Sequence, residues 1–315
     1  MTRSMDDGLA SRLGLVVVNY GSHALVERNL ATLDLAGLDT HVVVVDNRST
    51  DEERDAIGHV GRSHGWEVVP LATNVGFGAA MNVGVDRALA SDCTALVLLN
   101  PDLRIDVAVL RSLVDACRRD PGAMVSPRIL RTDGSVWFAG GEVRLRDGRT
   151  VTTGASSAGR TGWLSGACLA VSAELWTRVG GFDPEYFLYW EDVDLSWRCT
   201  RAGGRLSVRP DLDAVHDVGG TQGPGKSLLY YRYNVRNRLV FAAKHLDGRH
   251  QIAWVLRSPA FARTVLRRGG LRGPRYRHLA PIWAVAAGTL EGLWFVIRHG
   301  SRQARSQRDV AHIAP

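Results

Sequence analysis

Residues 41–51 read HVVVVDNRSTD, four consecutive valines that run straight into an Asp-Asn turn. A β-branched run closed by turn residues marks a strand. Outward from it the pattern repeats, with strands expected at Leu13–Val18, His41–Val45, Glu67–Val69, Ala95–Leu99 and Ala123–Val125. Helices are expected between them at Ala24–Leu33, Glu52–His64, Gly78–Ala90 and Val107–Arg118, with Asp51 and Asp106 as N-caps. Short strands alternating with helices predict an α/β fold in which a Rossmann-like parallel sheet is covered by helices. Ligands of such sheets bind beyond the carboxyl ends of the strands. Here those ends are polar: Asn19-Tyr20, Asp46-Asn47, Thr73-Asn74 and Asn100-Pro101-Asp102.

With 315 residues, 45% hydrophobic and 23% charged, the chain can bury a full core as one large or two small domains. A formal net charge of +7 predicts an anionic partner. The base is almost wholly arginine, since Lys226 and Lys244 are the only lysines, and arginine suits phosphate; nucleic acid is not expected. Cys93, Cys117, Cys168 and Cys199 lie far apart without a CxxC pair, so neither a zinc site nor a disulfide framework is indicated and a reducing cytosol fits. The opening MTRSMDDGLASR is polar where a signal peptide needs an apolar core, so secretion is not expected. After Pro127, Gly-rich and Trp-containing segments such as WFAGGEVRLRDGRTVTTG predict irregular strands and hairpins. Helices return at Ala173–Val179, Asp192–Ala202 and Ser227–His245.

Between Tyr186 and Arg198 the chain reads YFLYWEDVDLSWR, with Glu191, Asp192 and Asp194 behind an aromatic cluster where ionised groups are costly to desolvate. Helical spacing sets Leu188, Glu191 and Leu195 on one face and Asp192 and Asp194 elsewhere, so the three acids cannot form one solvated stripe. At least one is expected to face a cleft; the alternative is an acidic helix start that complements the macrodipole. Asp46 at a strand tip can accept hydrogen bonds from a base or ribose, or simply close an Asx turn. Residues 74–82, NVGFGAAMN, open a helix with two glycines and two amides but lack the third glycine of the dinucleotide fingerprint; Gly76 and Gly78 still allow close backbone approach to a ligand. Asp102 can hold Mg²⁺ or Mn²⁺ if a diphosphate supplies other oxygens, and His216 can add an imidazole or pack in the core. Residues 230–238, YYRYNVRNR, interleave Arg232 and Arg236 with aromatics, as a phosphate clamp or as a solvated helix face.

Taken in order, VVVNY, VDNRSTD, NVGFGAAMN, LLNPD, GWLSGACLAV, GGFDPEYFLYWEDVDLSWR, the isolated His216 and YYRYNVRNR resemble the family 2 glycosyltransferases of GT-A fold, especially the bacterial rhamnosyltransferase-type branch. The match covers about Leu13 to Ala243. It implies a nucleotide-sugar half with a mixed-sheet acceptor half. Asn19, Asp46, Asn74, Gly76, Asn82, Asn100 and Asp102 are the implied nucleotide-sugar residues. Asp192 is the implied general base beside Glu191, Asp102 and His216 the implied metal ligands, and Trp163, Gly166 and Trp190 the implied walls of the acceptor site. The family's strand-end Asp-x-Asp reads Asn100-Pro101-Asp102 here, which halves the local negative charge and leaves Asp102 as the metal ligand. The expected activity is inverting transfer from a nucleoside-diphosphate sugar, dTDP-rhamnose in the first place, to a glycan or polyprenyl-diphosphate-linked acceptor in cell-envelope polysaccharide synthesis, with Mg²⁺ or Mn²⁺.

The chain divides at 248, a GT-A domain preceding a basic amphipathic region at 249–315. That region alternates arginines with Trp and Leu, as in IAWVLRSPAFAR and GLWFVIRHG. Leu279–Ile297 is nearly long enough to span a bilayer, but Pro281, Gly288, Glu291 and Gly292 interrupt it. An interfacial helix anchored by Trp283 and Trp294 on anionic lipid is expected, the alternatives being a helix packed on the catalytic domain and a true span, and this puts the protein on the cytoplasmic face of the plasma membrane. Two other classes stay open. A nicotinamide-dependent dehydrogenase would need glycines where Val18-Asn19-Tyr20-Gly21-Ser22 stands, and a non-catalytic glycan-binding module would not need Asp102, Asp192 and His216 together.

Overall fold

A computed structural model of the chain describes residues 12–152, 162–217, 226–270 and 279–311, with the side chains of 300–311 excluded. The N-terminal dodecapeptide, apart from Arg12, and the glycines after His216 lie outside the described residues. In the first half β1 (Leu13–Asn19), α1 (His23–Leu30), β2 (Thr40–Asp46), α2 (Asp51–His64), β3 (Glu67–Pro70), α3 (Phe77–Ala90) and β4 (Ala95–Leu99) alternate as expected. They are followed by β5 (Leu103–Ile105), α4 (Val107–Arg119), β6 (Ala123–Arg131), β7 (Val136–Phe138), β8 (Gly141–Arg144), β9 (Arg149–Thr152) and β10 (Cys168–Ser172). Then come α5 (Ala173–Val179), α6 (Glu191–Arg201), β11 (Arg205–His216), α7 (Leu228–His245), α8 (Gly248–Leu256), α9 (Ser258–Arg268) and α10 (Ala280–Ala311).

The main sheet runs β3-β2-β1-β4-β10-β6-β11-β5, with β7 beside β6. Its β3-β2-β1-β4 half is parallel, whereas β10 is antiparallel to both β4 and β6, and β5 is antiparallel to β11. A parallel nucleotide-binding half therefore continues into a mixed half. Apolar side chains of α1, α2 and α4, such as Leu30, Ile57 and Leu113, bury one face, and those of α3, α5 and α6, such as Met81, Leu175 and Leu195, bury the other. Thr50 rather than Asp51 caps α2, its side chain accepting from the Glu53 N–H, and this leaves Asp51 in the first turn beside Arg48. No side-chain bond from Asp106 caps α4. The expected strand at Ala123–Val125 extends to Arg131 because β11 pairs along its whole length in parallel.

A third cluster joins Tyr186, Trp190 and Val193 to Leu239 and Phe241 of α7 and to Trp254, Phe261 and Val285 of the helices that follow. Residues on both sides of position 248 thus share one core. Along α10, Gly288 and Gly292 face α7: a Cβ on Gly288 would stand 2.1 Å from the Arg232 carbonyl oxygen, and one on Gly292 2.9 Å from Leu239 Cβ. Between them Glu291 pairs with Arg232, so residues read as interruptions of an apolar span are the ones that let two helices meet closely. The opposite side of α10 leaves Trp283 70% and Leu290 67% exposed, with Trp294 and Ile297 on the same stripe. Ala280–His299 is long and apolar enough to cross a membrane, judged by length and composition.

Candidate functional site

Strand ends build the floor. Asn19 and Asp46 close β1 and β2 as register partners, and both are fully buried. Asn19 Oδ1 accepts from the Ser22 N–H at 3.1 Å and from its hydroxyl at 3.0 Å, which closes the turn into α1. Asp46 Oδ2 accepts from Arg54 Nε at 3.0 Å, while Asp46 Oδ1 is buried without a partner among the described residues. A buried carboxylate oxygen without a donor is costly, and a ligand N–H or O–H would satisfy it.

The next loop is held from within. Asn47, which the motif reading passed over, donates to Asn74 Oδ1 at 3.0 Å and accepts from the Val75 N–H at 3.0 Å. Asn74 Oδ1 also accepts from the Gly76 N–H at 2.9 Å, so this amide oxygen shapes the loop. Gly76 sits at φ 89°, and a Cβ there would stand 2.3 Å from the Phe187 carbonyl oxygen; the close approach expected toward a ligand is made to the chain's own backbone. That same oxygen accepts from the Phe77 N–H at 3.0 Å. Asn82 is likewise consumed, its Oδ1 accepting from the Phe182 N–H at 2.8 Å and its Nδ2 donating to Phe182 O at 2.7 Å. Its amide ties α3 to the segment before the acidic helix.

Asp102 and His216, 114 positions apart in sequence, converge with Nε2 and Oδ1 separated by 3.0 Å, and both side chains are buried. The His216 ring packs edge-on against Trp137, and its Nδ1 has no partner among the described residues. One carboxylate oxygen and one imidazole nitrogen suit Mn²⁺ or Mg²⁺ as a partial ligand set. No group of three or more His, Cys, Asp or Glu residues converges among the described residues, so the remaining positions would fall to a ligand's oxygens and to water. Asn100 lies beside them, its N–H donating to Ala167 O at 2.9 Å, which places the turn next to Gly166.

Gly166 leads to the acidic helix. Its N–H donates to Asp192 Oδ2 at 3.1 Å, and the Val193 N–H donates to Asp192 Oδ1 at 2.8 Å. Helix α6 begins at Glu191 because Tyr189 (φ 66°) and Trp190 (φ 75°) are both left-handed, so the expected helical face through Leu188 does not form. Two adjacent non-glycine residues in that region are strained and need outside support. Asn237 of α7 supplies it, its Nδ2 donating to Leu188 O at 3.0 Å and to Tyr189 O at 2.8 Å. Trp190 is turned inward against Phe241 and Trp254, which removes its indole from the acceptor wall assigned to it. Trp163 keeps a half-buried ring against Phe138.

The three acids have separate fates. Burial, and then the neighbouring Asp192 charge, push the Glu191 carboxyl well above the usual range. Asp192 is half-buried at the surface; desolvation raises it to about 6, although the Gly166 and Val193 N–H groups favour its charged form. Burial disfavours the charged form of both, and Asp192 is the half-exposed acid of the pair. Asp194 is fully buried, and although desolvation raises it, the His245 hydrogen bond and the Arg198 charge outweigh that and hold it below the ordinary value. Its oxygens lie 2.6 Å from His245 Nε2 and 2.7 Å from Arg198 Nε, a packing role. Arg232 is engaged by Glu291 and Arg236 by Glu185, so neither guanidinium is open to a phosphate in this arrangement.

A family model described as Glycosyl transferase family 2 matches residues 15–167. The N-acetylglucosaminyl-diphospho-decaprenol L-rhamnosyltransferase of Mycobacterium tuberculosis (strain CDC 1551 / Oshkosh) is 30% identical over 301 residues, covering 85% of this chain and 96% of that protein. The dTDP-rhamnosyl transferase RfbF of Shigella flexneri is 25% identical over 245 residues, covering 75% and 81%. Among solved structures, the mannosyltransferase PcManGT from Pyrobaculum calidifontis in complex with GDP-Man and Mn²⁺ superposes with a TM-score of 0.52 at 20% identity, covering 94% of this chain and 79% of that one.

Proposed function

The chain belongs to glycosyl transferase family 2 and has the GT-A fold, and from that premise we propose that it moves a rhamnosyl group from dTDP-rhamnose to a hydroxyl of a lipid-linked glycan in cell-envelope synthesis. It is a glycosyltransferase, which removes the dehydrogenase and non-catalytic readings. The donor is proposed from the Shigella flexneri relative's name and the acceptor from the mycobacterial one's. One observation carries the mechanism: Asp192 is the only member of its acidic triplet that is both partly exposed and free of a cationic partner among the described residues.

In this reading Asp192 takes the acceptor O–H proton as the oxygen bonds to C1 of the sugar and the C1–O bond to the nucleoside diphosphate breaks, its electron pair leaving with the diphosphate. A single displacement inverts the anomeric centre, and we assign no second nucleophile for a retaining path. Asp46 Oδ1 and Asn19 lie at the strand ends where the nucleotide would be received. Asp102 and His216 would hold Mg²⁺ or Mn²⁺ together with the donor diphosphate; when bound, such an ion offsets charge on the leaving group. Residues 1–248 act as the transferase domain, and the region 249–315, whose Trp254, Phe261 and Val285 share its core, presents the exposed Trp283–Trp294 stripe and nearby arginines to the cytoplasmic face of an anionic membrane.

Purified protein offered a panel of nucleoside-diphosphate sugars with Mn²⁺ is expected to be stabilised most by dTDP-rhamnose, since ligand at 100-fold its Kd adds about 2.7 kcal/mol. A larger shift with another sugar nucleotide would overturn the donor assignment. Asn237 is the second test. Asn237→Leu leaves the Leu188 and Tyr189 carbonyls without their donor, about 1–3 kcal/mol of lost stability each, and is expected to lower kcat roughly tenfold or more with donor Kd unchanged. If kcat per folded molecule stays normal, the residue serves stability only.

A further inference from the structure

The turn of the β8–β9 hairpin meets the α8–α9 junction in a cleft of about 270 Å³ lined by Arg146, Asp147, Arg149, Arg257, Ala260 and Phe261. Beneath it lies Arg238, 1% exposed, its guanidinium between the Trp254 and Phe261 rings at 5.0 and 4.6 Å. Arg238 donates to the Asp147 carbonyl oxygen at 2.9 Å and to Ser258 Oγ at 3.4 Å, and no carboxylate pairs with it among the described residues. The Asp147 carboxylate, the cleft's one acid, is already bonded to Arg144 at 2.6 Å and stands 3.9 Å from Arg149. Arg146 and Arg257 face the cleft without a carboxylate partner among the described residues. Five guanidinium groups, of Arg144, Arg146, Arg149, Arg238 and Arg257, thus stand against a single carboxylate. Burial is the main cause that pushes Arg238 down to about 9; the Asp147 charge acts against it and the charges of Arg149 and Arg257 add to it.

So uncompensated a cluster on a partly buried floor calls for an anion, and planar guanidinium forks match phosphate oxygens. The helix that leads into Arg257 shows what carries the phosphate. Ile252 and Leu256, on the last turns of α8 leading to Arg257, are 63% and 73% exposed, the composition of a surface lying at the headgroup level of a bilayer. We propose that the Arg146–Arg149–Arg257 cleft binds the phosphate of a lipid, whether an anionic phospholipid headgroup or the phosphate that links a polyprenyl chain to a glycan. This deepens the lipid-linked acceptor reading and is separate from the donor site, which lies at the strand ends. Through Trp254, which donates to Leu145 O at 2.6 Å and packs on Trp190, the cleft is one aromatic layer behind the turn that carries Asp192.

Sedimentation of the full chain with vesicles tests this. Neutral phosphatidylcholine vesicles are compared with the same vesicles containing phosphatidylglycerol or polyprenyl phosphate, at low salt, for wild type, for Arg146→Gln with Arg257→Gln, and for Arg62→Gln with Arg201→Gln as an exposed, charge-matched pair on α2 and α6. Wild type is expected to sediment with the phosphate-bearing vesicles and not the neutral ones. The cleft pair should bind them about 30-fold more weakly, at about 1 kcal/mol per arginine near an anionic surface, and the control pair should match wild type. Retention on phosphatidylglycerol alone identifies the headgroup as the source, and retention on polyprenyl phosphate alone identifies the carrier. If the two variant pairs lose binding equally, net charge explains it and the cleft assignment fails while the membrane reading stands. If wild type ignores every phosphate-bearing vesicle, both fail.

Discussion

Asp192→Asn is expected to lower turnover by roughly 10²–10⁴-fold while donor affinity changes little. The carboxylate is caged by the Gly166 and Val193 N–H groups at 3.1 and 2.8 Å, so its position comes from backbone and survives the substitution better than its basicity does. Near-normal turnover in the variant would show that another group takes the proton. Glu191→Gln should cost less, because Glu191 is buried away from solvent and burial disfavours its charged form. The pH dependence follows from the same burial. Transfer should rise as pH passes about 6, where Asp192 ionises, and fall about tenfold per unit below it. For stability the sign is opposite. A carboxyl raised in the folded state favours folding at pH below its ordinary value near 3.9, and that contribution is lost as pH rises through about 6. Relative to Asp192→Asn, the wild-type melting temperature should therefore decline between pH 4 and pH 6.

Chelation is the other large effect. In EDTA transfer is expected to fall by roughly 10³-fold or more and to return with Mn²⁺ or Mg²⁺, since several kcal/mol of charge stabilisation on the leaving diphosphate is withdrawn. Because Asp102 and His216 meet at 3.0 Å and would act through one ion, Asp102→Asn combined with His216→Ala should cost little more than the worse single change. Calorimetric titration of Mn²⁺ in the presence of nucleoside diphosphate provides a readout that does not depend on turnover, and the heat should disappear in either single variant. Undiminished transfer in chelator, or Mn²⁺ binding that survives both substitutions, would rule the pair out as ligands.

The acids at the strand ends were legible because a strand's apolar run stops where its backbone leaves the sheet, and whatever follows must face the ligand edge. Asp46 and Asp102 could be read that way from VVVVD and LLNPD alone. Asn82 and Trp190, taken from the family resemblance, and Gly76, read for close approach to a ligand, instead have their amide, indole and missing side chain used by the protein's own backbone and core. From the sequence, an amide that binds a ligand and one that binds a carbonyl 100 positions away look the same. Asn47 and Asn237 stood inside quoted motifs, yet nothing local set them apart from their neighbours.

What the sequence by itself determined was the alternation of strands and helices, the ligand edge of the sheet, and the acidic triplet with its family, all of which depend on residues within a turn or a strand of one another. Only the tertiary structure decided which acid is exposed and which is paired. Asp194 is bonded by His245 from 51 positions away, the turn before Glu191 is held by Asn237 from 49, and Asp102 meets His216 across 114. The direction of the C-terminal helices was decided in the same way, when Gly288 and Gly292 found the backbone of α7. Local patterning encodes where a residue sits on its own element; its charge state and its partners depend on burial and on contacts made by distant parts of the chain, which no local period records.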